Sequence, residues 1–387
     1  MSYDIEIWAA RTPDWDGFLA DEAGWEQQGD SWIRPGRDWQ VVVFREQRVE
    51  AEDIPTDVDQ ALPGIRFLLQ IHLEPLGAPK SAYRVLHRTL KRLAKDSHGV
   101  ILDPQTDEIT LPSGVRRYQK VSTQEKLELL ELSWFFTESP LLEHDGPGRL
   151  VDMLRVLWPE AMPRRYGEYE PPEHRLEETG IGHLVRFIEG NSGGTVVWYP
   201  QVPFAGVQMG FDRAWGWDRR GFRVNYLSLA VEAAALAQPG WLEQMRRGWR
   251  AFSSLVRPFF GDVRTLHGYE RTGSKLWTTH GTEHHPVKAW WWRGVPDSLG
   301  HAAVLGDPYT RLWPRFVEAA EVDEGLAFLE GQWTGSADVA DIIGGVPAEL
   351  AQPAEEIGTD PATMLLPKPH RFAPVWPFET NPLEAER

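Results

Sequence analysis

The segment HGTEHH, residues 280–285, brings together side chains that could bind a metal ion. It supplies His280, Glu283, His284 and His285, and histidine and glutamate are common zinc ligands. Two histidines four residues apart on one helix can share a metal, but the zincin motif also needs a glutamate directly after the first histidine, and here Gly281 follows. Glycine and threonine at 281–282 favour a loop. The segment therefore predicts a solvated loop, and we expect neither a metal site nor a cofactor.

The segment GNSGG, residues 190–194, matches the nucleophile loop of chymotrypsin-like serine proteases. Ser192 would need a histidine as base and an aspartate to orient it. The proline that usually follows this motif is replaced by Thr195, and the preceding region is predicted to be helical where a β-barrel is required. We therefore interpret the glycines as a hairpin loop between two predicted strands, HLVRFIEG and TVVWYP.

The acidic segment RRYGEYEPPEHRLEE, residues 164–178, offers carboxylates that could bind or catalyse. In an extended segment Glu168 and Glu170 would point to the same side. Acid and base carboxylates of glycosidases come instead from separate elements that face each other across a cleft. We predict an exposed acidic turn, and we take Tyr166, Glu168, Tyr169 and Glu170 as candidate partner-binding residues.

Three consecutive tryptophans occur in AWWWRGVP, residues 289–296. If this segment is a strand, Trp290 and Trp292 face one side and Trp291 faces the other. Tryptophan is common both in cores and at binding hot spots, so the pattern leaves both readings open. Trp291 and Arg293 complete the candidate partner-binding set.

Charge is distributed unevenly along the 387 residues, whose net charge is −17. Residues 1–62 carry 15 acidic and 5 basic side chains, residues 63–316 carry 28 and 32, and residues 317–387 carry 14 and 3. Acidic ends favour a basic protein partner and disfavour nucleic acid. There is no phosphate-binding GxxxxGK[ST] motif, no cysteine for disulfides or thiolate chemistry, and no apolar run of the ~18 residues that a membrane helix needs. We expect a cytoplasmic protein that does not bind membranes.

The periodicities that must position these residues predict an α+β fold of antiparallel sheets with helices packed on one face. GIRFLLQIHL, SAYRVLHRTLKRLAK and GVILDPQT predict a strand, a helix and a strand. FRVNYLSLAV, GWLEQMRRGWRAFSSLV and DVRTLHGYE predict the same order later in the chain. This recurrence suggests two pseudo-duplicated strand-helix-strand units.

Between these units, EKLELLELSWFF and GRLVDMLRVLW are predicted to be helical. We predict an N-terminal α+β domain over residues 1–120 and a C-terminal α+β domain over residues 121–335. A proline-rich extended tail follows over residues 336–387. It is either anchored by Phe372, Trp376 and Phe378 or partly disordered at its end.

PRRYGEYEPP, WWWRGVP and LGDPYTRLWP together resemble cytoplasmic bacterial immunity proteins of polymorphic-toxin and type VI secretion systems, including the immunity-protein-fifty-two-like families. The resemblance covers about residues 120–335. It implies a non-enzymatic α+β protein that binds a cognate toxin and blocks its active site, and a basic effector would suit the acidic ends.

Two other functions remain open from the sequence. One is a hydrolase built from carboxylates and histidines of separate segments, with Glu168, Glu170, His284 and Asp307 as its candidate residues. The other is a scaffold subunit of a defence or secretion assembly.

Overall fold

The chain divides into two compact units between Thr123 and Gln124. The computed structural model describes the N-terminal unit over residues 3–117 and the C-terminal unit over residues 126–352, with short gaps. The described residues are 3–21, 24–75, 77–104, 106, 108–111, 114–117, 126–137, 139–143, 145–191, 194–211, 217–218, 221–272, 275–278, 281–287, 291–292, 294–335 and 337–352.

The described part of the N-terminal unit is a single antiparallel sheet with helices. Its strands are β1 (Tyr3–Ala9), β2 (Glu26–Gln28), β3 (Ser31–Pro35), β4 (Gln40–Phe44), β5 (Gln47–Arg48), β6 (Phe67–Glu74), β7 (Gly99–Asp103), β8 (Glu108–Leu111) and β9 (Gly114–Arg117). Its helices are α1 (Trp15–Asp21), α2 (Thr56–Ala61) and α3 (Lys80–Asp96), with a 3-10 turn at Ala51–Asp53. The strand order is β2-β3-β4-β6-β1-β7-β8-β9, and β5 pairs with β6.

Helix α3 covers one face of this sheet because its apolar residues recur at helical spacing. Leu86, Leu90 and Leu93 are buried and pack in one cluster with Ile7 and Ile71 of the central strands. Each such side chain contributes about 1.5–3 kcal/mol when fully buried. Helix α2 contributes to a smaller apolar cluster on the other face of the sheet.

The C-terminal unit contains a large antiparallel sheet and a small separate one. Its strands are β10 (Leu127–Phe136), β11 (Arg165–Gly167), β12 (His174–Arg175), β13 (Thr195–Tyr199), β14 (Phe204–Gly210), β15 (Trp217–Asp218), β16 (Gly221–Arg223), β17 (Asn225–Glu232), β18 (Phe260–Thr272), β19 (Lys275–Thr278), β20 (Trp291–Trp292), β21 (Ala302–Leu305), β22 (Glu321–Asp323) and β23 (Leu326–Glu330). The main order is β12-β11-β13-β14-β17-β10-β18-β21-β23-β22, with β19 beside β18, and β15-β16-β20 form a small separate sheet.

Six helices and four 3-10 turns complete the described part of the C-terminal unit. The helices are α4 (Gly146–Leu157), α5 (Leu176–Thr179), α6 (Ile181–Gly190), α7 (Trp241–Val256), α8 (Tyr309–Leu312) and α9 (Pro314–Ala319). The 3-10 turns are Pro140–Leu142, Pro159–Ala161, Ala233–Ala237 and Val339–Ile343. The predicted α+β class with antiparallel sheets is confirmed.

Two elements differ in type from the prediction. EKLELLELSWFF contains the central strand β10, whereas we predicted a helix. Leucine and glutamate are good helix formers, but Leu132 and Trp134 face one cluster and Phe135 faces another, so burial on both faces of the sheet overrides helix propensity. HLVRFIEG lies in helix α6 and was predicted as a strand; Leu184 and Ile188, four residues apart, bury the same face.

Most of the tryptophans described in the C-terminal unit are buried in its core. Trp134 stacks on Trp249 of α7 with ring centroids 4.8 Å apart, and its indole N–H donates to Ser253 Oγ over 2.9 Å. On the other face of the sheet, Trp292 is fully buried and donates to the Tyr309 hydroxyl over 2.8 Å. Trp292 therefore belongs to the core.

The two large sheets have the same topology, which supports the predicted duplication. In order along the chain, β1, β3, β4, β6, α3, β7 and β8 correspond to β10, β13, β14, β17, α7, β18 and β21. The spatial orders β3-β4-β6-β1-β7-β8 and β13-β14-β17-β10-β18-β21 match strand for strand. Helices α3 and α7 occupy equivalent places, each joining the two strands that flank the first strand of its sheet.

Residues 337–352, predicted as part of an extended tail, form a 3-10 turn and pack into the C-terminal unit. Val339, Ile343 and Leu350 are buried in its second apolar cluster. The predicted anchors Phe372, Trp376 and Phe378 lie outside the described residues. None of the helices in the described part of the chain is long and apolar enough to cross a bilayer.

Candidate functional site

A groove of about 1530 Å³ opens beside β18 in the C-terminal unit. Its lining comes from the start of β10, the end of β17 with the following 3-10 turn, the middle of β18, and three loops. The lining residues are Lys126, Leu127, Glu128, Glu232, Ala233, Ala234, Leu236, Arg264, Thr265, Leu266, His267, Glu283, His284, Pro286, Pro296, Asp297, Ser298, Gly300, His301, Trp333, Thr334, Gly335, Ala337, Asp338 and Gln352.

The groove follows a gap in the pairing along one edge of β18. That edge pairs with β21 at Phe260–Asp262 and with β19 at Tyr269–Thr272. Between them, the Val263 carbonyl accepts the His301 N–H over 2.6 Å and the His267 carbonyl accepts the Glu283 N–H over 2.9 Å. Backbone groups alternate sides along a strand, so those of Thr265 point to the same edge, where neither β19 nor β21 pairs with them.

The ionisable side chains of the lining make the groove acidic. The lining contains five carboxylates, two cations and three histidines, so its net charge is −3 when the histidines are neutral. The carboxylates are Glu128, Glu232, Glu283, Asp297 and Asp338. Glu128, Glu283 and Asp297 are exposed, so they form a rim that a partner can reach.

The exposed His267 lies between two of these rim carboxylates. Its Nδ1 is 3.4 Å from Glu128 and its Nε2 is 3.9 Å from Glu283. His301 is buried on the groove wall, with Nε2 2.8 Å from Thr265 Oγ1. Burial lowers the pKa of His301, although backbone groups of Ala337 and Gln332 act in the opposite direction. His301 therefore adds no positive charge to the groove near neutral pH.

A buried ionic cluster anchors the loop that carries Glu283 and His284. Asp262 is fully buried; its Oδ1 lies 2.8 Å from His285 Nε2 and its Oδ2 accepts Nε of Arg264 over 3.0 Å. Arg264 also donates to the Ser298 carbonyl over 3.0 Å. Burial alone would raise the pKa of Asp262, but Arg264 and His285 outweigh it and hold the pKa below its ordinary value.

Both ring nitrogens of His285 are already engaged. Nε2 faces the ionised Asp262, and Nδ1 accepts the Val287 N–H over 3.1 Å. A general base needs a free lone pair directed at a substrate, and this imidazole has none. The geometry fits a structural role, in which His285 fastens its loop to the sheet.

Glu131 of the neighbouring strand β10 lies beside this cluster. It pairs in register with Arg264 of β18, and its Oε2 is buried without a hydrogen-bond partner among the described residues. Burial raises the pKa of Glu131, and the attraction of His285 only partly offsets this. Its negative charge also opposes ionisation of nearby Tyr226, whose pKa burial raises to about 12.

The acidic candidate segment lies on a different edge of the sheet. Tyr166 is fully buried, and its hydroxyl lies 2.7 Å from both Thr179 Oγ1 and His183 Nδ1, so burial removes it from any partner-facing surface. Glu168, Tyr169 and Glu170 are exposed on the bends after β11, with Tyr169 62% exposed. The side chain of Trp291 and the whole of Arg293 lie outside the described residues.

The four candidate hydrolase residues do not converge. Glu168 and Glu170 follow β11, which four strands separate from β18, a span of roughly 24 Å at the usual strand spacing. His284 lines the groove, whereas Asp307 forms an exposed ion pair with Arg311 over 2.6 Å. No three histidine or carboxylate side chains within the described ranges are grouped as metal ligands.

Neither the groove nor the buried cluster was predicted from the sequence. The HGTEHH segment does belong to the groove loop, since Glu283 and His284 line the groove and His285 anchors this loop to Asp262. His280 and Ser192 lie outside the described residues. The missed signal is DVR at 262–264, where two opposite charges at alternate positions of an apolar strand must share one face.

Comparisons with known proteins do not assign a family. Searches of protein families and of curated proteins gave no match. Among solved structures, the chain is similar to a Pseudomonas aeruginosa type VI secretion system protein, PA0821, with 10% identity and a TM-score of 0.35. That similarity covers 58% of this chain and 70% of the other.

Proposed function

We propose that this chain is a binding protein that takes a basic segment of a partner protein into the groove beside β18. The observation that supports this most strongly is the acidic rim of Glu128, Glu283 and Asp297 around a large opening. Surfaces of complementary charge accelerate encounter and set specificity. A segment rich in lysine and arginine is the matching chemistry.

The size of the groove favours a polypeptide over a small molecule. Its volume of about 1530 Å³ exceeds the range of roughly 300–1,000 Å³ typical of small-molecule pockets. The backbone of Thr265 points to the unpaired part of this edge of β18, where it can form main-chain hydrogen bonds with one residue of an extended segment. Leu127, Leu266 and Pro296 supply apolar contacts for its side chains.

The proposed role is inhibitory and involves no catalysis. Asp262, Arg264 and His285 satisfy one another beneath the groove, which leaves none of these three side chains directed at a substrate. In its specific form, the chain is a cytoplasmic immunity protein of a bacterial conflict system that neutralises a cognate toxin, as the sequence resemblance implies. The acidic residues of 1–62 and 317–387 would further attract a basic effector.

A rescue experiment tests this function. Bacteria expressing the basic effector encoded beside this gene should survive when the wild-type chain is co-expressed. The groove variant Glu128→Gln/Glu283→Gln/Asp297→Asn should protect less well, because rim charges worth about 0.2–1 kcal/mol each are lost. The control variant Glu243→Gln/Glu318→Gln/Asp323→Asn removes equally exposed carboxylates elsewhere in the same unit and should protect fully.

Equal protection by the two triple variants would contradict a role for the groove. Turnover of a substrate by the purified chain, abolished by Glu170→Gln, would favour the hydrolase. A stoichiometric assembly that leaves the effector active would favour the scaffold.

A further inference from the structure

Helix α3 of the N-terminal unit presents a continuous basic face to solvent. The helix contains six lysine or arginine residues and one acidic residue, Asp96. Five of the cations are exposed and recur once per turn on the side opposite the buried leucines. We call this set the α3 basic face: Lys80, Arg84, Arg88, Lys91 and Lys95.

No described carboxylate neutralises this face. Asp96 is turned to the N-terminal segment, where its Oδ2 accepts the Asp14 N–H over 2.6 Å. None of the five cations forms an ion pair with a carboxylate anywhere in the described ranges. In a chain whose net charge is −17, five exposed cations on one helix are a local reversal of sign.

On the equivalent helix of the C-terminal unit, two arginines pair with carboxylates of the same chain. On α7, Arg250 donates to Glu330 and to Glu321, both over 2.8 Å, and Arg246 lies 3.7 Å from Glu330. These two carboxylates come from the hairpin β22–β23, which follows β21. The described part of the N-terminal unit ends at β9 and has no counterpart of β22.

We propose that the α3 basic face binds an acidic segment of a partner protein, which supplies the carboxylates that β22–β23 provide to α7. The face extends over roughly 22 Å from Lys80 to Lys95 at the helical rise per residue. One cation per turn matches a segment with carboxylates along one side. Long nucleic acids fit less well, because residues 1–62 of the same unit carry a net charge of −10 and would repel their flanking phosphates.

This face belongs to the other unit from the groove and has the opposite charge. The proposal therefore adds a second interaction surface to the proposed function. Its test must distinguish binding through α3 from binding through the groove. It must also distinguish binding of an acidic protein segment from binding of other polyanions.

Fluorescence anisotropy on the full-length chain provides that test, with a labelled decaglutamate peptide as the probe. We expect the variant Arg84→Gln/Arg88→Gln/Lys91→Gln to bind the peptide roughly tenfold more weakly than wild type at low salt, since three of five charge contacts are lost. Glutamine has a helix propensity close to that of lysine and arginine, so α3 should remain folded, as circular dichroism will check.

The matched control is Arg37→Gln/Arg247→Gln/Arg315→Gln, which removes three exposed cations outside α3. It should bind the peptide like wild type, and so should the groove variant. Equal affinities of the α3 and control variants would overturn the proposal. So would tighter α3-dependent binding of a 20-base-pair DNA duplex or of phosphatidylserine vesicles, or self-association of the chain through α3.

Discussion

At the scale of single residues, Glu131 connects the buried core with the ionic cluster that holds the groove loop. Its carboxyl group is buried beside Asp262, Arg264 and His285, and those three residues fasten the groove loop to β18. A buried acid without a hydrogen bond to one of its oxygens is costly in its ionised form. The stability of this part of the sheet is therefore linked to pH.

Replacement of Glu131 by glutamine tests that link. Burial raises the pKa of Glu131, so the folded chain holds the proton more tightly than the unfolded chain does. The stabilisation is complete below the ordinary glutamate pKa and is lost as pH rises through the folded-state value. Relative to wild type, Glu131→Gln should gain unfolding free energy from pH 5 to pH 8, by up to about 1.4 kcal/mol per pH unit within the titration range.

Urea denaturation at several pH values measures this difference. Glu128→Gln is the control, because it removes an exposed glutamate from the same strand. A stability difference between wild type and Glu131→Gln that stays constant across the pH range would refute the role of the buried acid.

At the scale of elements, α7 is held against the end of α4 by a close approach of backbone and indole. A Cβ on Gly248 would lie 1.9 Å from Trp158, whose ring stacks on Phe252 with centroids 4.8 Å apart. Because α7 leads directly into β18, its position also sets the position of the groove.

Gly248→Ala should therefore destabilise the chain by about 1–3 kcal/mol or more, as overpacked cores do. Gly148→Ala is the matched control: this helical glycine of α4 has nothing within 4 Å of its virtual Cβ, so alanine should be neutral or slightly stabilising. Urea unfolding of both variants decides the matter. Similar stability of the two would mean that the Trp158 contact does not limit this position.

The same elements show what the sequence could predict and what it could not. Helices α3 and α7 were predictable because their apolar stripes have a period that only a helix explains. Strand β10 was not, because it is buried on both faces and its leucines fit either period. The groove was also beyond sequence reasoning, because it depends on where β19 and β21 stop pairing with β18.

At the scale of the whole molecule, two units of the same topology have different surfaces. In the C-terminal unit Arg246 and Arg250 of α7 are paired with carboxylates of the same chain, and the groove beside β18 is acidic. In the N-terminal unit the equivalent helix keeps its cations exposed. Two copies of one scaffold can therefore serve partners of opposite charge.

The central claim is that the groove beside β18 binds a basic polypeptide segment. Titration calorimetry with a ten-residue peptide of alternating lysine and valine measures it directly. Wild type and the control variant Glu243→Gln/Glu318→Gln/Asp323→Asn should bind with the same affinity, which should fall as salt screens the rim. The variant Glu128→Gln/Glu283→Gln/Asp297→Asn should bind roughly tenfold more weakly. Equal affinities of the two triple variants, or no binding by wild type at low salt, would contradict the account.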